Sequence, residues 1–117
     1  MDTEQKMHSL YELLQKQFGV ELAVEENPST ASIGTTDVVI APNNPRRLGL
    51  VIINLSTNTL YLRPGAPASA TAGILVTGSG GSFALNWQGD FHLPSLEWHA
   101  VASGAASAVY VVGVLIR

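Results

Sequence analysis

Two groups of potential metal ligands or acid and base residues lie near the end of the chain, in Asp90-Phe91-His92 and in Glu97-Trp98-His99. Residues two apart in a β-strand share a face, so each group would place a carboxylate beside an imidazole. The turn predicted at Pro94-Ser95 would bring both groups together as a metal site. Half-exposed polar positions on adjoining strands give the same residues, and a metal site also requires matched geometry. We therefore expect no metal and no cofactor. A metal site would instead require Asp90, His92, Glu97 and His99 to lie together.

No other arrangement in the sequence is typical of catalysis. The chain has no cysteine, and its serines do not occur in the Gly-x-Ser-x-Gly motif of an activated serine nucleophile. The glycine-rich segment Gly78-Ser79-Gly80-Gly81 precedes a strand pattern, whereas a phosphate-binding loop precedes a helix. We expect a protein that binds other molecules and is not an enzyme.

Two further sets of residues are suited to binding. Four aromatic residues could stack against sugars, although aromatic residues in small β-domains more often lie in the core or at a subunit interface. Arg46 and Arg47 could grip a carboxylate or phosphate of a partner, because guanidinium groups form paired hydrogen bonds; solvated arginines at a strand end are the commoner alternative. We assign both arginines to partner binding. The aromatic set is Trp87, Trp98, Tyr61 and Tyr110.

The segment from Asn27 to Arg117 contains very few charged residues. An average content of about 25% charged residues would give it roughly 23, whereas its charged residues are Asp37, Asp90, Glu97, Arg46, Arg47, Arg63 and Arg117. So little charge suits a surface that is covered by other protein, and it offers no basic stripe to a nucleic acid. The longest apolar run, Ala108 to Ile116, is too short for a membrane-spanning helix, which needs about 20 residues.

The first residues have the pattern of an amphipathic helix. Apolar residues between Met7 and Phe18 recur at steps of three and four, including Leu10 and Leu14, and Gly19 stands where such a helix would end. A helix of this length requires a docking surface, either on its own β-domain or on a neighbouring subunit. We predict a helical segment at residues 1–19 and a β-domain at residues 20–117, and we assign Leu10, Leu14 and Phe18 to partner binding.

The rest of the chain predicts a series of short strands separated by turn residues. The runs Leu48–Leu55 and Leu60–Leu62, joined by a polar turn, predict a hairpin, and Ala108–Ile116 predicts a last strand. The other predicted strands are Val20–Glu25, with helix as the alternative, Asp37–Ala41, Gly73–Thr77, Ser82–Trp87, Asp90–Leu93 and Glu97–Ala102. Without a second helical pattern, the fold class is mainly β, an antiparallel β-sandwich or jelly roll with a short N-terminal α-helix.

The order of these segments resembles small β-sandwich structural proteins of tailed bacteriophages. The similarity runs from about Pro42 to Arg117 and rests on Asn44-Pro45-Arg46-Arg47, the strand Leu48–Leu55, Gly73-Ile74-Leu75 and Glu97-Trp98-His99. It implies a non-enzymatic virion protein, made in the host cytoplasm, above all a capsid decoration (cement) protein that contacts the major capsid protein and forms a homo-oligomer. The alternative is a head-fibre, neck or tail component that binds a carbohydrate or receptor.

Overall fold

The computed structural model of the chain describes Gly19, residues 22–26 and residues 32–116. The predicted N-terminal helix, with Leu10, Leu14 and Phe18, lies outside the described residues. Two helical turns, at Trp87–Asp90 and Leu93–Ser95, follow the seventh strand. The strands are β1 (Leu22–Glu26), β2 (Ser32–Ile33), β3 (Val38–Ala41), β4 (Arg47–Asn54), β5 (Leu60–Pro64), β6 (Ile74–Val76), β7 (Ser82–Asn86), β8 (Trp98–Ala102) and β9 (Ser107–Ile116).

The strands form two antiparallel sheets, as predicted. The five-stranded sheet has the order β1-β9-β4-β7, with β2 also paired to β9, and the four-stranded sheet has the order β3-β8-β5-β6. The chain changes sheet at each connection from β2 onward except that between β5 and β6. Neighbours in sequence therefore face each other across the core, and the central strands β4 and β9 come from distant parts of the chain.

Alternating residues of both sheets form a single buried core. Leu50 and Ile52 of β4 lie in one cluster with Leu60 and Leu62 of β5. In the same cluster Trp98 is 1% exposed, and its indole N–H donates to the carbonyl of Leu93 at 2.8 Å. A tryptophan can be buried in this way because its one polar atom has a partner. The two sheets thus enclose one core, consistent with a sandwich.

The prediction of a hairpin between Leu48–Leu55 and Leu60–Leu62 is wrong, because β4 and β5 belong to different sheets. The buried Asn54 side chain turns the chain over the end of the core. Its amide group donates to the carbonyls of Asn58 at 2.8 Å and Val76 at 3.2 Å, and its oxygen accepts from the Ser56 hydroxyl at 2.7 Å. Turn residues predict a reversal of the chain, but they do not determine whether the next strand joins the same sheet or the opposite one.

The prediction of a strand at Asp90–Leu93 is also wrong. The Asn86 side chain accepts a hydrogen bond from the amide of Gly89, and the Asp90 carboxylate accepts one from the amide of Asn86, at 2.8 and 3.0 Å. This reciprocal capping closes a helical turn, because each side chain satisfies a backbone amide that a short helix leaves free. Pro94 is the second residue of the following turn, Leu93–Ser95, where a backbone nitrogen needs no partner within the helix.

Candidate interaction surfaces

The outer side of the five-stranded sheet is largely apolar, apart from Ser82 and Asn86 on the edge strand β7. On β4, Leu50 and Ile52 point into the core, so Val51 and Ile53 between them point outward. In register beside Val51 lies Val112 of β9. Val24 and Val114, which are paired across β1 and β9, are 68% and 38% exposed. We call this side the outer apolar face; it consists of Val24, Val51, Ile53, Ala84, Tyr110, Val112 and Val114.

The outer apolar face carries a single carboxylate in the described chain. Glu26 lies at its edge on β1, in register with Val112. Its hydrogen bond with the Tyr110 hydroxyl, together with burial and the negative charge of the carboxylate, raises the pKa of Tyr110 from its usual 10.0. Residues 22–26 and 32–116 form no third layer over this face. A sheet side of this composition costs free energy in water and is suited to contact with other protein.

A clamp of two carboxylates around an imidazole lies on the outer side of the other sheet. Nδ1 of His99 is 2.8 Å from Oδ2 of Asp37, and Nε2 is 2.7 Å from Oε1 of Glu97. Both ring nitrogens donate only when the imidazole is protonated. Burial lowers the pKa of His99, but the hydrogen bonds and charges of Asp37 and Glu97 outweigh burial and raise it above 6.5. On β5, Arg63 is in register with His99, and its guanidinium donates to the carbonyl of Pro67.

The clamp also fixes one wall of an open cleft of about 350 Å³. The second oxygen of Asp37 accepts a hydrogen bond from the amide of Ala68 at 2.7 Å, which holds the β5–β6 loop against the sheet. Tyr61, Val101, Thr35 and Ser69 also line the cleft. The clamp thus joins three segments of the chain and acts as a structural tie.

The structure separates the two arginines that the sequence assigns to partner binding. Arg46 is exposed. Arg47 is 2% exposed, and its Nη2 donates to the carbonyl of Pro42 at 3.0 Å and approaches Oε1 of Glu25 at 3.4 Å. Its Nε has no hydrogen-bond partner. Arg47 therefore holds the chain together internally, while partner binding by Arg46 stays a prediction.

The aromatic residues do not form one platform. Trp98 is in the core, where its ring centroid is 5.4 Å from that of Phe83. Tyr61 lies on the outer side of the four-stranded sheet, whereas Trp87 follows β7 of the other sheet and is 42% exposed. Phe91, which follows the helical turn, is 79% exposed and has a φ of 57°. The predicted sugar-stacking set is thus divided among the core and separate surfaces.

The four proposed metal ligands do not converge. Asp90 caps the helical turn through the amide of Asn86, and His92 is exposed, whereas Glu97 and His99 meet in the clamp. Within residues 22–26 and 32–116 no group of three or more histidine, aspartate or glutamate side chains has the geometry of a metal site. No helix in that part of the chain is long and apolar enough to cross a membrane.

Sequence reasoning did not identify the outer apolar face or the role of Asp37. The signal for the face was present, because Leu50-Val51-Ile52-Ile53 in β4 is apolar at odd and even positions alike. A run of this kind predicts a strand that is covered on both sides, whereas a strand with one solvent-exposed side alternates apolar and polar residues. For Asp37 there was no local signal, since it lies 62 residues from His99 in sequence.

Comparisons with known proteins show a shared fold and no family. No protein-family model matches the sequence, and no curated protein matches it significantly. A solved Bacillus endospore appendage protein, of a family of disulfide-linked pili, has a TM-score of 0.53 at 14% identity, over 82% of this chain and 88% of that one. The coat protein of Tobacco streak virus gives 0.43 at 11% identity, over 82% and 85%. A chain from the capsid of cyanophage Pam1 gives 0.38 at 16% identity, over 83% and 84%. At these identities the pilus protein shares its fold with this chain, and the two lower scores carry no argument.

Proposed function

We propose that the chain is a non-enzymatic structural protein of a virion, a capsid decoration or cement protein that stabilises the shell through protein contacts. The observation that supports this most is the outer apolar face, an extended sheet surface with one carboxylate at its edge, which suits contact between chains of an assembly, including contact between copies of this chain. An interface of this kind stabilises an assembly by mass action, because the bound chain favours the assembled state of its partners. The partner is the major capsid protein or another virion protein.

The strand order is a second support for the proposal. Counting β1 and β2 as one interrupted strand beside β9, the two sheets contain eight antiparallel strands, which is compatible with a jelly roll, a fold that viral capsid domains and lectins use. The pilus protein of similar fold belongs to a family described as disulfide-linked. Since this chain has no cysteine, its contacts with partners do not involve disulfides of its own. The resemblance of residues 42–117 to phage structural proteins points to the virion.

The head-fibre, neck or tail alternative with a sugar-binding role has weaker support. It requires an exposed aromatic row, but Trp98 is buried in the core, Tyr61 lies on the four-stranded sheet and Trp87 lies in the helical turn after β7. The exposed Arg46 remains available to either kind of virion partner.

The proposal is tested with shells assembled from the major capsid protein encoded alongside this chain. The purified chain is expected to co-sediment with the shells and to raise the temperature at which they dissociate, in proportion to occupancy. A chain that stays in the supernatant at concentrations of about 10 μM, and leaves shell dissociation unchanged, would contradict the cement role, since an effective cement binds at or below that concentration.

A further inference from the structure

We propose that the outer apolar face is a self-association surface, on which a second copy of this chain packs with its own outer apolar face. The inference rests on the proposed function and specifies one of its contacts. It assigns Val51 and Val112 to the centre of a two-fold interface, because they are paired on the two central strands of the sheet. Val24 on β1 and Ala84 on β7 lie toward its opposite edges.

The size of the outer apolar face is compatible with binding a second copy of the chain. Strands of five, eight, five and ten residues form it. At about 3.3 Å per residue and about 4.8 Å between strands they span roughly 450 Å². Two such faces together bury about 900 Å² of projected area, and side chains make the accessible area larger. Stable interfaces begin near 1,000 Å² in total, so this face is large enough for a dimer only if most of it is used.

The charge distribution also favours a second copy. Two identical surfaces repel each other when they carry unpaired charges, and the one carboxylate here, Glu26, is at the edge and already bonded to Tyr110. The central residues Val51, Ile53 and Val112 are aliphatic and rigid at their first side-chain torsion, so they lose little conformational freedom on contact. Sheets that pack face to face through such residues lie about 10 Å apart.

The full chain allows a matched test with valine substitutions on the two sheets. Val51→Glu places a charge at the centre of the outer apolar face, and Val101→Glu places one on the outer side of the four-stranded sheet. Light scattering after size exclusion is expected to give twice the 12.4 kDa of one chain for the parent and for Val101→Glu. Val51→Glu is expected to be a folded monomer by circular dichroism, with dimer affinity reduced at least about 100-fold, because both copies bury the charge.

A second measurement does not require the folded protein to accept a glutamate at these positions. The chain has no cysteine, so Val51→Cys and Val101→Cys each carry one thiol. Maleimide labelling of Val51→Cys is expected to slow at least about 10-fold as the protein concentration rises through the dimer range, while labelling of Val101→Cys stays constant. Thiol reactivity follows exposure, which makes the rate a direct measure of coverage. Equal rates for both thiols at every concentration would overturn the inference.

The other possible occupants of the face give different results. The chain's own first residues could cover the face instead. In that case the parent is a monomer, and the thiol of Val51→Cys is protected at all concentrations but reacts once Leu10→Asp and Leu14→Asp are added. This result would overturn the inference. A dimer unaffected by Val51→Glu would overturn it in favour of another surface. Shell co-sedimentation is a separate measurement. If the protein is a monomer and binds shells, only self-association is refuted. If it is a dimer and does not bind shells, only the cement role is refuted.

Discussion

Arg46 and Arg47 are neighbours of the same residue type with opposite environments, and replacing each by alanine should give very different losses of stability. Arg47→Ala removes the hydrogen bond to the carbonyl of Pro42 at 3.0 Å and the two longer contacts at 3.4 Å, to Glu25 and to the carbonyl of Pro94. One good hydrogen bond from a charged donor is worth about 1.5–3 kcal/mol, and the long contacts add less. Arg46→Ala removes an exposed side chain and should change the free energy of unfolding by less than about 0.5 kcal/mol.

Two further contributions adjust the value for Arg47. The apolar stem crosses β9 beside Gly113, where a Cβ would lie 3.4 Å from Cδ and Nε of the arginine. Losing two buried methylenes costs about 1.6 kcal/mol. Removing the unsatisfied Nε returns about 1–3 kcal/mol. The net expectation is a loss of about 2 kcal/mol for Arg47→Ala, and a smaller loss for Arg47→Met, which keeps the stem.

The assay is urea unfolding followed by tryptophan fluorescence, at one protein concentration because oligomers unfold in a concentration-dependent way. The buried Trp98 reports the transition. The predicted result is a lower midpoint with an unchanged slope for Arg47→Ala and a midpoint near the parent's for Arg46→Ala. If the two variants differ by less than about 0.5 kcal/mol in the free energy of unfolding, Arg47 is not an internal tie, and the prediction that both arginines bind a partner would stand.

The other predictions concern three further positions. Asn54→Ala should lower the free energy of unfolding by about 3 kcal/mol, because it leaves two carbonyls without a donor at a buried site; urea unfolding checks it, and a loss under about 1 kcal/mol would contradict it. Phe91→Gly should raise stability by about 1 kcal/mol, since the exposed Phe91 has a φ of 57° that glycine adopts without strain; a lower midpoint would count against it. The pKa of His99 is raised on folding, so its clamp stabilises the protein fully below about pH 6.5 and loses this contribution as pH rises through the folded pKa; unfolding measured from pH 5 to 9 should show that decline in the parent and not in His99→Gln.

Local sequence patterns predicted most of the strands, because these are bounded by turn residues and filled with β-branched or aliphatic residues; β2 (Ser32–Ile33) was not among the predicted strands. The strands β4 and β9 lie within about one residue of their predicted limits. The predictions failed where the same local pattern serves two geometries. The polar turn between β4 and β5 suits a hairpin and a crossing between sheets equally, and the difference lies in the burial of Asn54, which depends on the whole fold.

The interaction surfaces depended even more on tertiary structure. Nothing near Arg47 in sequence indicates that Pro42, Pro94 and Glu25 surround it, since Pro94 is 47 residues away. The same is true of the tie between Asp37 and His99. The outer apolar face, by contrast, was encoded locally by uninterrupted apolar runs, which are typical of strands that are covered on both sides.

If the proposed function is right, a cryo-electron microscopy map of particles that carry this chain shows directly whether the outer apolar face is covered. Another protein surface is expected within about 4–5 Å of Val51 and Val112, the separation of apolar side chains in contact. A map in which the outer apolar face is turned to solvent throughout the particle would contradict this expectation.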